Sequence, residues 1–203
     1  MAGPAKGHKA ALGFQTHSGW ACAILAAGEG SDIEIVHRCR VTLYDPMIDG
    51  AKQPFHTAET MPIAEAENYI SRCRKTTGQL AREAMVALQK ISDGHGKSLS
   101  GACVIVASGR ALPGLQAILA SHALIHAAEG EFYRNTLLSA AEDLEITAAR
   151  LNRREAAARI ASRLDCSEEI LTKKLGAIGK RIGRPWTVDE KLATMAAWLM
   201  LAK

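Results

Sequence analysis

The chain has 203 residues, with 48% hydrophobic, 23% charged and only 4% aromatic side chains, and a formal net charge of +4. That length and balance suit one globular domain over residues 1–203, with a core large enough to need no staples. They exclude a disordered, collagen-like or disulfide-stapled chain. Alanine fills 36 positions, so the expected core is aliphatic, with helices packed closely through small side chains.

Residues 1–9 are small, polar and basic and are expected to be flexible, with no apolar signal region after them. Ala10 to Gln15 is a short apolar run ending in the turn chemistry of Thr16-His17-Ser18-Gly19. Trp20 to Ala27 is a second apolar run, closed by the Gly28-to-Asp32 turn. At eight residues it is too short to span a bilayer. Ile33, Ile35, His37, Cys39 and Val41 alternate at period two, the mark of a half-buried strand. Three strands joined by short turns predict an antiparallel meander. Tyr44 to Met61 carries Asp45-Pro46, Asp49-Gly50 and Gln53-Pro54 and reads as a loop, of a length that suits function.

Pro62 predicts a helix start, and Ile63 to Ile91 one long helix with Tyr69, Cys73, Leu80, Ala84 and Leu88 on its buried stripe. Ala102 to Ala107 is a continuous run of the kind found in a central strand. Ser108-Gly109-Arg110 follows as a loop. Pro113 opens a helix to about Asp143, with a bend expected at Gly130, and Leu144 to Thr147 is a short strand candidate. Three capping boxes, at Asn152/Glu155, Asp165/Glu168 and Thr187/Glu190, predict helices over 153–164, 166–182 and 188–202, with Gly183 ending the second.

Charge divides unevenly. Residues 1–149 carry 13 basic and 15 acidic side chains, net −2; residues 150–203 carry 12 and 6, net +6. A basic helical C-terminal segment suits contact with phosphates, and equally a set of solvated helix faces. The five cysteines are odd in number and form no C-x-x-C pair. They are expected to be mostly buried reduced thiols, which together with the missing membrane span places the chain in a cytoplasm.

The element order β-β-β-α-β-α-β-α-α-α resembles the ribonuclease H-like superfamily, in its Holliday-junction resolvase branch. Ala11-Leu12-Gly13-Phe14-Gln15 is similar to the first strand of that fold. Cys103 to Ala107 is similar to the fourth, and Trp186 to Ala193 to the start of its last helix. The resemblance implies an α/β fold with a five-stranded mixed sheet, three antiparallel strands followed by two parallel ones, flanked by helices. It also implies carboxylates on the first strand, at the end of the fourth and on the last helix. Those would hold two divalent ions, usually Mg²⁺, that activate water and stabilise phosphodiester cleavage. This chain departs from that pattern. The first-strand position is Gln15, the fourth strand ends in Ala107-Ser108, and only Asp189 and Glu190 remain. The same core resembles half of an actin-like ATPase, where Thr16 to Gly19 would be the phosphate-contacting turn.

A second group lies at His122, His126 and Glu129, spaced i, i+4, i+7 on one helix face. Two imidazoles and a carboxylate can ligate Zn²⁺, Mn²⁺ or Fe²⁺, or work as a base and its orienter. The same face also suits a plain helix interface. Asp189 joins these three as a candidate catalytic residue. Gln15, His17, Ser108, Arg110, Glu131, Arg134 and Lys191 are candidate binding residues. Three functions follow as expectations. The first is a diverged ribonuclease H-like, nucleic-acid-handling protein without the usual two-metal site. The second is a metal-dependent or acid/base enzyme using the His122 face. The third is a homodimeric interaction module.

Overall fold

A computed structural model describes residues 9–107 and 111–202. Strands β1 (Lys9–His17), β2 (Trp20–Glu29) and β3 (Asp32–Thr42) form the antiparallel meander. A short helix α1 (Pro54–Ala58) and the long α2 (Ile63–Gly94) lead to β4 (Ser98–Val106). Helices α3 (Leu115–Leu119) and α4 (His122–Asp143) cross to β5 (Ala148–Asn152). Helices α5 (Ala156–Arg163), α6 (Glu168–Ile182) and α7 (Val188–Leu201) complete the chain. The sheet order is β3-β2-β1-β4-β5, with β4 parallel to β1 and β5 parallel to β4. This is the five-stranded mixed sheet expected from the sequence.

Both faces of the sheet are covered, so its central strands are apolar throughout rather than alternating. Leu12, Phe14, Leu25 and Val104 pack beneath α2 and α4. Ala11, Ile24, Cys103 and Ile105 pack beneath α5, α6 and α7. Helix α7 lies directly on β1. A Cβ added at Gly13 would sit 1.9 Å from the Ala193 carbonyl oxygen and 2.5 Å from Ala197 N. Glycine on the strand and alanines on the helix thus bring the two backbones together. No described helix is long and apolar enough to cross a membrane.

Several local expectations change. β1 continues through His17, leaving Ser18-Gly19 as a two-residue hairpin turn with Gly19 at φ 80°. The 44–61 loop contains α1. The buried stripe of α2 runs through Thr77, Ala81 and Met85 rather than Leu80 and Ala84. The helix expected from Pro113 breaks at extended Ser121, not at Gly130. Gly130 instead makes room for a side chain: a Cβ there would lie 2.7 Å from Arg134 Nη2. The fifth strand begins at Ala148, because Glu145 takes a left-handed φ of 57° and turns the chain at 144–147. Of the three capping boxes only Thr187/Glu190 forms in full. Ser167 replaces Asp165 as the cap of α6, and Asn152 stays in β5.

Candidate functional site

Strand alternation turns Gly13, Gln15 and His17 toward α7. The register then lines up rows across the sheet: His17 opposite Trp20, Gln15 opposite Cys22, and Cys22 opposite Arg40. The α7 N-terminus closes over these rows. Its Asp189 Oδ2 stands 2.9 Å from His17 Nε2. The His17 ring stacks on Trp20 with centroids 4.4 Å apart. From the β3 side, the Arg40 guanidinium lies 4.0 Å from the Trp20 ring centroid, a cation–π contact. Arg38 donates to the carbonyl oxygens of Gly183, Arg184 and Pro185 and so fixes the loop before α7. Trp20, Cys22, Arg38, Arg40, Thr187, Asp189 and Glu190 line a cleft of about 410 Å³.

The polar groups of this cleft are mostly engaged. Gln15 is 7% exposed; its Nε2 donates to the Thr16 carbonyl, while its buried Oε1 has no partner among the described residues. Burial acts to raise the Glu190 pKa, but the Thr187 hydroxyl and backbone N–H donate to the carboxylate and hold it below its ordinary value. Burial pushes the Cys22 thiol up to about 12, with the Glu190 and Asp189 carboxylates adding to the effect. Cys22 is therefore a protonated thiol at neutral pH and no nucleophile. Lys191 is half-buried on α7 just beyond Asp189. Ser108 and Arg110 lie outside the described residues.

The second candidate group forms on the opposite face of the sheet. His122 and His126 come together, Nε2 to Nε2, at 3.0 Å. The third member of their cluster is His56 of α1, and one ring nitrogen from each histidine lies within 4.8 Å of the other two. Glu129 is 3% exposed and faces α1. Its Oε1 accepts from Phe55 N at 2.9 Å, from His56 N at 3.1 Å and contacts His56 Nδ1 at 3.1 Å. Burial pushes the Glu129 carboxyl above its ordinary pKa, opposed by these His56 and Phe55 hydrogen bonds. Glu131 and Arg134 pair with each other at 2.6 Å, with Arg150 further out at 3.8 Å from Glu131.

The sequence reading missed His56, because an apparent loop gives no periodicity to place it. Pro54, at the first turn of α1, was the available signal. It also missed Trp20, Arg38 and Arg40, which only the strand register brings to Asp189. The Gln15 cleft and the His122 face, both candidates in the sequence, are not brought together.

No protein-family model and no curated protein sequence matches the chain. Among solved structures, RuvC of Thermus thermophilus in complex with a Holliday junction substrate is 11% identical. The match covers 94% of this chain and 91% of that one, with a TM-score of 0.53. A second Thermus thermophilus RuvC structure matches at 11% identity over 93% of this chain and 90% of that one, with a TM-score of 0.51. The fold of this chain is therefore the ribonuclease H-like fold in its resolvase-like form.

Proposed function

We propose that the chain handles nucleic acid in the cleft between β1–β3 and α7, and does so without a two-metal nuclease centre. The observation that carries this reading is Gln15. Gln15, on the α7-facing side of β1, is a buried neutral amide, where two hard cations would call for a carboxylate. The remaining acids do not fit two Mg²⁺ ions either. Asp189 is paired with His17, and Glu190 closes the cap of its own helix. What the cleft offers instead is the exposed Arg40 guanidinium held over the Trp20 ring, a cation suited to a phosphate backbone. The RuvC structure bound to a Holliday junction makes four-way DNA the first substrate to try. The five unpaired cysteines accord with a cytoplasmic setting.

Fluorescence anisotropy of labelled four-way junction, duplex and single-stranded DNA at low salt tests the binding. Micromolar or tighter binding that weakens with added salt is expected. Absence of binding to all three DNAs overturns the reading. Incubation of the same DNAs with Mg²⁺ or Mn²⁺ tests the second half, and site-specific cleavage would overturn it.

A further inference from the structure

We propose that His56, His122 and His126 form a Zn²⁺ site, with an open coordination position and with Glu129 as the positioning residue for His56. The site is separate from the nucleic-acid cleft and does not depend on it. Three features of the geometry lead to this. The first is convergence: α1 and α4 come from distant parts of the sequence, yet one nitrogen of each histidine falls within 4.8 Å of the others. The second is the 3.0 Å approach of His122 Nε2 to His126 Nε2. Imidazoles that close either share a proton or direct two lone pairs at one cation. Two nitrogens bound at about 2.05 Å to a tetrahedral metal stand about 3.3 Å apart, so the observed spacing is close to a chelating one. His122 and His126 are exposed, so small χ rotations can close the remaining gap to His56.

The third feature is the carboxylate behind His56. Glu129 Oε1 contacts His56 Nδ1 and both backbone N–H groups at the start of α1. With Glu129 Oε1 as the hydrogen-bond acceptor for Nδ1–H, Nε2 is left as the lone pair of that ring, which is how metal-bound histidines are commonly oriented. The donor set also decides the metal. Three neutral nitrogens select Zn²⁺ and its late transition-metal neighbours over Mg²⁺ or Ca²⁺. Three protein ligands on a partly exposed site leave a fourth position for water or an anionic group, the arrangement of Zn²⁺ sites that act as Lewis acids.

The test uses the full chain without a histidine tag. Zn²⁺ is titrated against a chromophoric chelator, and Co²⁺ is added separately to read the coordination geometry from its visible absorption. One tightly bound Zn²⁺ per chain is expected, with the intense Co²⁺ bands of four-coordination. His122→Asn and His126→Asn, both at exposed positions, are expected to keep the fold by circular dichroism and to weaken Zn²⁺ at least 100-fold. His17→Asn, in the other cleft, is expected to leave Zn²⁺ affinity unchanged. Lack of stoichiometric Zn²⁺ binding by the wild-type chain overturns the proposal. So does a His126→Asn variant that is folded and binds Zn²⁺ as tightly as the wild type.

Discussion

The two faces of the sheet hold two polar clusters of opposite electrostatic character. On the α7 face, unlike groups meet: His17 with Asp189, Arg40 with Trp20, Arg38 with three carbonyls, Glu190 with Thr187. Each group finds its complement within the chain, and the cleft is set before any ligand arrives. On the α4 face, like groups meet: three imidazoles share one small volume, and His56 has the Glu129 carboxylate behind it. Neighbouring neutral imidazoles can share an N–H, but the ring-nitrogen lone pairs left over are open to a cation from outside. The ribonuclease H-like sheet thus positions a self-complementary site on one face and an electron-pair-rich one on the other.

The sharpest way to break the comparison is to remove one face alone. Gly13→Ala places a methyl group inside contact distance of the α7 backbone at Ala193 and Ala197. Neither atom can rotate away, so the helix has to lift. We expect a loss of about 3 kcal/mol in urea unfolding, together with weaker DNA binding. Zn²⁺ affinity, read in the same preparation below its unfolding midpoint, is expected to stay within about twofold. Equal loss of both would show that the two clusters are one cooperative unit.

The converse experiment acts on α1. Glu129→Ala leaves the Phe55 and His56 N–H groups and the His56 ring without their shared acceptor. A buried donor left unpaired costs about 1–3 kcal/mol, so about 2 kcal/mol is expected from denaturation, with His56 displaced from the cluster. The milder Glu129→Gln keeps an oxygen acceptor but loses the negative charge. It is expected to weaken Zn²⁺ about tenfold, as second-shell changes do, without altering the one-to-one stoichiometry.

How much of this was legible in the sequence differs between the two faces for a physical reason. The fold was read well, because its signals are local and periodic: the alternation from Ile33 to Val41, the apolar run of β4, the capping box at Thr187. Gln15, His17 and Asp189 were also found singly, but not the contact between His17 and Asp189, which are 172 residues apart. Within α4 the i, i+4 spacing of His122 and His126 was enough to pair them. Glu129 joined them on the i+7 position of the same face, since helical periodicity shows only which residues share a helix. It cannot show that a five-residue helix in a long loop brings His56 onto that face. Helix α1 has too few residues for a pattern, and its N–H groups are satisfied by a carboxylate more than 70 residues away.

A subtler probe concerns the cleft's outward-facing cation. Arg40 is exposed and its guanidinium lies over the Trp20 ring, so its removal leaves no buried polar group unpaired. Arg40→Ala is expected to leave the unfolding midpoint nearly unchanged. DNA affinity should fall several-fold at low salt, and the slope of log affinity against log salt should drop by about one, as for loss of a single phosphate contact. An unchanged slope would move the interface elsewhere, with the +6 segment over 150–203 next to be scanned.

The smallest effect expected is on the cap that holds Asp189 in place. Thr187→Ala removes the hydroxyl that accepts from Asp189 N and costs about 1 kcal/mol. Glu190, the other arm, gives a pH signature. Its folded-state pKa is held below the ordinary 4.5, so the folded state binds its proton more weakly than the unfolded state does. The stabilisation is thus complete above about pH 4.5 and fades as pH falls through the lowered value. The stability difference between wild type and Glu190→Gln should accordingly be flat from pH 6 to 8 and shrink in acid. The α4 face has no part in this cap, so Glu190→Gln is expected to leave Zn²⁺ affinity at pH 7 unmoved. That acid dependence therefore belongs to the α7 cap, where the Thr187 hydroxyl and backbone N–H donate to a charged Glu190 carboxylate.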